Sequence, residues 1–147
     1  MTNYTIIGLG RIGTSLGMAI RGRQGKKSTV IGYDADNNTQ SLARRMGAVD
    51  SVEWDLSKAV GDADLVIVAT PAKSVYDVFT AISPHLKTGS VVTDTCPSKR
   101  AVTQWAKELL PKNTAFVGGN PLTGASVIEQ KEASGDIFDN TKWAVVA

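Results

Sequence analysis

Glycines at positions 8, 10 and 13 constrain this chain more than any other feature. They stand between a short β-branched run, Tyr4-Thr5-Ile6-Ile7, and a stretch in which Ile12, Leu16, Met18, Ala19 and Ile20 recur at roughly helical spacing. A G-x-G-x-x-G turn that closes a strand and opens a helix, at the head of a ~30-residue βαβ unit, is the context in which this pattern binds a dinucleotide. Gly8 then allows the tight turn, Gly10 lets a pyrophosphate approach the backbone, and Gly13 lets helix and strand pack closely. The helix N-terminus adds free N–H groups and a partial positive charge for the phosphates. The competing reading is a glycine turn used only to reverse the chain.

Beyond the turn, apolar runs and helical patterns alternate. Thr29-Val30-Ile31-Gly32-Tyr33 reads as a strand ending at Asp34, and Thr39 to Met46 as a helix with Gly47 as its C-terminal cap. Ala63 to Ala69, apolar throughout except for Asp64, is a run expected of a strand buried on both faces. Val75 to Leu86 reads as a helix, Ser90 to Asp94 as a strand, and Ala101 to Leu110 as a helix closed by Pro111. Ala115-Phe116-Val117 and Trp143-Ala144-Val145-Val146 are the last strand candidates. Strands alternating with helices of about 10 residues predict one doubly wound α/β domain with a mostly parallel sheet, a Rossmann-type dinucleotide-binding fold.

Asp34 lies 21 positions after Gly13, close to the ~20-residue offset of the carboxylate that holds a ribose diol. A carboxylate there repels a 2′-phosphate, and Ala35-Asp36-Asn37-Asn38 contains no arginine to receive one, so NAD is expected rather than NADP. An aspartate that merely caps the next turn is the alternative. Arg11 offers the pyrophosphate a charge-assisted contact, or is simply solvated. Ligands bind outside the carboxyl ends of such strands. This places Thr70 and Pro71 at the adenosine half and Asp94 to Ser98, with Thr95, at the nicotinamide; as plain loop chemistry, Pro71 is a strand terminator and Gly118-Gly119 a turn. The expected cofactor contacts are therefore Gly8, Leu9, Gly10, Arg11, Ile12, Gly13, Asp34, Thr70, Pro71, Asp94 and Thr95.

Composition excludes other classes. The net charge of +2 argues against a nucleic-acid surface or a polybasic membrane anchor. The longest apolar run, Leu65 to Ala69, spans no bilayer, and the N-terminus lacks the pattern of a signal peptide, so a cytoplasmic protein is expected. One cysteine, Cys96, and one histidine, His85, leave no internal disulfide and no expected metal site. His85, in Ser83-Pro84-His85-Leu86, reads as a surface residue. The chain stops at Ala147 directly after an apolar strand, an ending expected of a domain with a missing C-terminal partner domain.

Gly8 to Gly13, Asp34, Gly47-Ala48-Val49-Asp50, Ala63 to Pro71, and Val92-Thr93-Asp94 with Lys99 together resemble prephenate and arogenate dehydrogenases. Gly118-Gly119-Asn120-Pro121-Leu122-Thr123-Gly124 resembles their G-G-H-P-M-A-G segment, and Ile137-Phe138 with Trp143 its continuation. The resemblance implies that residues 1–147 form a single NAD-binding domain of an oxidoreductase of tyrosine biosynthesis. It also implies hydride transfer to NAD with oxidative decarboxylation of a small prephenate-like carboxylate. A helical C-terminal domain, absent here, would supply an arginine for that carboxylate and the contacts of a homodimer. The family's histidine, which polarises the ring hydroxyl, falls on Asn120; its serine falls on Pro97, with Ser98 one place later; and its glutamate falls on Ser126. Asn120, Ser98 and Lys99 are the catalytic candidates, Lys99 either as a charge for a carboxylate or as a solvated side chain. The joint changes at Pro97, Asn120 and Ser126 keep a second reading open, a non-catalytic dinucleotide-binding module or a diverged paralogue acting on another substrate.

Overall fold

The computed structural model describes residues 1–123 and 129–147. Strand β1 (Thr2–Ile7) leads through the glycine turn into α1 (Arg11–Gln24), and a 3-10 turn (Gly25–Lys27) returns the chain to β2 (Ser28–Tyr33). Then come α2 (Asn37–Arg45), β3 (Ser51–Val52), α3 (Leu56–Gly61), β4 (Leu65–Val68), α4 (Ala72–Ile82), β5 (Val91–Asp94), α5 (Arg100–Leu109), β6 (Ala115–Leu122) and β7 (Lys142–Val146). The sheet has seven strands in the order β3-β2-β1-β4-β5-β6-β7. All neighbours are parallel except β6 and β7. The doubly wound, mostly parallel sheet expected from the sequence is what forms.

The central strands obey the period-2 rule, burying alternate residues against helices on opposite faces. Ile6 and Ile67 join Leu16, Val30 and Ala43 in one apolar cluster, while Ile7, Val66 and Val68 join Val75, Phe79 and Val102 in the other. Phe79 and Phe116 meet edge to face with ring centres 5.7 Å apart. Because β1 lies between β2 and β4, successive connections diverge there to opposite sides, and a crevice opens beyond the carboxyl ends of β1 and β4.

Several boundaries differ from the expectation. Helix α1 continues through Arg21–Gln24, the basic stretch read as its end. Helix α4 begins at Ala72 and ends at Ile82, so His85 falls in a 3-10 turn, exposed. Two elements were not read at all: β3, of two residues, and α3, of six. The main correction concerns Gly118 to Leu122, which is a continuation of β6 rather than a turn and pairs antiparallel with β7. Gly124 and Ser126 lie outside the described residues. Among the described residues no helix is long and apolar enough to cross a membrane.

Candidate functional site

The glycine turn is fixed by backbone contacts that allow no side chain. Gly8 sits at φ +94°, and a Cβ there would lie 2.7 Å from the Ala69 carbonyl oxygen. Its N–H donates to the Tyr33 carbonyl at 2.9 Å, tying the turn to the end of β2. A Cβ on Gly13 would fall 1.8 Å from the Gly8 carbonyl oxygen, so α1 leaves the turn as close to β1 as a helix can pack. Among the described residues, a Cβ on Gly10 would meet nothing within 4 Å. Gly10 is also the N-cap of α1, with no side-chain cap and no acidic residue in the first turn, which leaves the helix's leading N–H groups for a ligand.

Asp34, just past the end of β2, reaches back to this turn. One carboxylate oxygen accepts from the Leu9 N–H at 2.8 Å and the other from the Asp36 N–H at 2.9 Å. The buried Gln40 accepts from the Asp34 N–H at 3.0 Å and so holds the strand end in place. Asp36 does different work: it caps α2, accepting from the Thr39 N–H and hydroxyl, and these bonds hold its carboxyl below the usual 3.8. Asp34 is thus the carboxylate presented to the crevice.

The crevice is an open cleft of about 860 Å³. Gly8, Gly10, Arg11 and Ile12 form one wall, with Asp34 beside them. Thr70 and Pro71 after β4 and Thr95 after β5 lie on the same cleft. Thr39, Leu56 and the face of α4 carrying Ser74, Asp77 and Val78 also line it, and none of these was anticipated. The spacing of Ser74, Asp77 and Val78, out of phase with the buried Val75, Phe79 and Ile82, is the signal that would have found them.

Three expected cofactor contacts are placed otherwise. Leu9 buries its side chain in the core and offers the site only its N–H, already given to Asp34. Gly13 serves packing. Asp94 is fully buried and does not line the cleft. One of its oxygens accepts from the Cys96 N–H at 3.0 Å and from the Lys99 ammonium, and the other from the Gly119 N–H at 3.1 Å. Lys99 also donates to the Gly119 carbonyl at 2.7 Å. Lys99 is therefore not solvated: its ammonium is committed to Asp94 and β6, with the side chain 16% exposed. Beside them, burial and the Asp94 charge push the Cys96 thiol up to about 11, so it stays protonated at neutral pH. Ser98 is exposed ahead of α5, and Asn120 stands on β6 opposite Ala144 of β7. None of Ser98, Lys99 and Asn120 lines the cleft.

The residues present fit a dinucleotide. Thr70 Oγ1 and Arg11 Nε, both in cleft-lining residues, are buried without a hydrogen-bond partner among the described residues. The open space at Gly10 is the cradle a side chain would fill. Together with the free helix terminus and Asp34, these supply donors for phosphates and an acceptor for a sugar diol.

Comparison with known proteins agrees with this geometry. The family described as prephenate dehydrogenase, nucleotide-binding domain, matches residues 16–146. The prephenate dehydrogenase of Lactococcus lactis is 27% identical over 147 residues, covering 99% of this chain and 41% of the relative. The cyclohexadienyl dehydrogenase of Zymomonas mobilis is 34% identical over 122 residues, covering 83% of this chain and 41% of the relative. The chain thus spans about two fifths of the length of these curated relatives. In fold it is similar to the prephenate dehydrogenase of A. aeolicus crystallised with hydroxyphenyl propionate and NAD+. The TM-score is 0.89 and the identity 24%, over 100% of this chain and 51% of that one.

Proposed function

The chain belongs to the prephenate dehydrogenase family through its nucleotide-binding domain, and from that premise we propose that it binds NAD for the oxidation of a prephenate- or arogenate-like carboxylate. The observation that carries this reading is the Asp34 carboxylate, hydrogen-bonded to the Leu9 N–H of the glycine turn and lining the same cleft as Gly10 and the head of α1. Asp34 would hold the adenosine ribose diol, and the leading N–H groups of α1 with Arg11 the pyrophosphate. The Thr70 hydroxyl would gain the partner it lacks. When bound, NAD supplies the hydride acceptor.

On this reading the substrate half lies beyond β5, where Ser98 and Asn120 stand. The Asn120 amide donates and accepts hydrogen bonds and so orients a substrate hydroxyl, but it takes up no proton near neutral pH. The carboxylate-binding arginine and dimer contacts implied by the resemblance would belong to the part of the relatives' length that this chain does not span. The second reading, a dinucleotide-binding module or a paralogue with another substrate, is favoured by Asn120 and Pro97 and by the commitment of Lys99 to Asp94.

Calorimetric titration of the chain with NAD and with NADP tests the proposal. Saturable NAD binding is expected, at least about tenfold tighter than NADP binding and weakened by Asp34→Ala. Binding of neither, or an NAD affinity indifferent to Asp34→Ala, would overturn it.

A further inference from the structure

One cleft-lining group has no role in the reading above. Asp77 lies on the cleft face of α4, between Ser74 and Ala81. It is exposed and, among the described residues, its side chain takes part in no hydrogen bond or ion pair; Lys73, one turn earlier, does not pair with it. The surroundings are apolar: Tyr33 after the glycine of β2, Leu56 at the head of α3, and Val78 and Ala81 of α4 line the same cleft. Tyr33, Leu56 and Val78 are partly buried against the core cluster that includes Phe79 and Val68, which fixes this platform to the sheet.

An apolar cleft lining accepts the face of an aromatic ring. The carboxylate of Asp77, on the same cleft, supplies hydrogen-bond acceptors. A purine that turns the N7 side of its 6-amino group to it is therefore held; a 6-oxopurine presents only the O6 and N7 acceptors on that side, its N1–H facing the other way, and is repelled. Asp34, next to Tyr33, would hold the sugar to which such a ring is attached. The geometry points to Asp77 as the acceptor for the exocyclic amine of the dinucleotide's purine, and so as the residue that selects a 6-aminopurine over a 6-oxopurine. This inference rests on the dinucleotide reading and adds base recognition to it.

The test is titration of the chain with NAD and with its hypoxanthine counterpart, in which a carbonyl replaces the amine. The wild type is expected to bind NAD about tenfold tighter, the scale of one charge-assisted hydrogen bond at a partly exposed site. Asp77→Ala brings the two ligands within about twofold of each other by weakening NAD. Asp77→Asn, whose amide also donates, narrows the preference by strengthening the hypoxanthine ligand. Circular dichroism confirms that α4 is retained in both variants. Equal affinities in the wild type, or a preference that survives Asp77→Ala, would overturn the inference while leaving NAD binding intact. Binding of neither dinucleotide would instead remove the reading on which it rests.

Discussion

At the scale of single residues, the three glycines of the turn divide into two kinds. Gly8 and Gly13 are required by the protein itself, because a Cβ on either would sit inside a neighbouring backbone carbonyl. Gly10 is required by nothing among the described residues, since a Cβ there would have free space around it. Gly13→Ala is therefore expected to cost about 3 kcal/mol of stability, at the upper end for overpacking, and to lower the urea midpoint. Gly10→Ala should unfold like the wild type yet lose about tenfold in NAD affinity, ~1.4 kcal/mol. Calorimetry and urea titration of both variants decide the matter; a Gly10→Ala variant that binds NAD normally would mean that no phosphate passes over that glycine. These roles were legible in the sequence because spacing alone places the glycines. The commitment of Lys99 was not, because nothing local to Asp94-Thr95-Cys96-Pro97-Ser98-Lys99 announces that the lysine folds back onto the aspartate and reaches a strand twenty residues on.

At the scale of elements, that ion pair replaces part of the sheet. The β5–β6 ladder ends at the Thr93–Val117 pair, and beyond it the Asp94 and Lys99 side chains take up the N–H and C=O of Gly119. Removing one partner of a buried pair leaves the other charge uncompensated, typically at about 3–5 kcal/mol. Lys99→Met is accordingly expected to lower the unfolding free energy by about 3 kcal/mol while leaving NAD affinity unchanged, because neither residue lines the cleft. A stable variant with impaired NAD binding would contradict this. The same region shows why Gly118-Gly119 reads as a turn in the sequence. Two glycines and a proline are turn signals, yet here Gly119 is glycine because a Cβ would meet the Trp143 indole nitrogen at 2.6 Å, a close approach made by the antiparallel partner strand. The omissions of β3 and α3 have a simpler cause: two and six residues are too few to show periodicity.

At the scale of the whole molecule, the sheet is unequal from centre to edge. Thr5, Ile6 and Ile7 of β1 and Val66, Ile67 and Val68 of β4 are buried, whereas every residue of β7 is exposed, Val145 to 63%. Amide hydrogen exchange should reflect this: the β1, β4 and β5 amides exchange only on global unfolding, and the β7 amides open at a fraction of that free energy. Equal protection in β7 and β4 would mean that the edge is held by contacts beyond this sheet. Apart from β3 and α3, the alternation of strands and helices was readable in the parallel part, where apolar runs announce two-sided burial, and less so at the antiparallel end, where every residue of β7 is exposed. The cleft follows the same division, for every described residue lining it lies between Ile7 and Thr95. The described cleft is thus written in one stretch of the chain and the antiparallel end of the sheet in the next. Substitutions after Thr95 can reshape that end without replacing any described residue that lines the cleft.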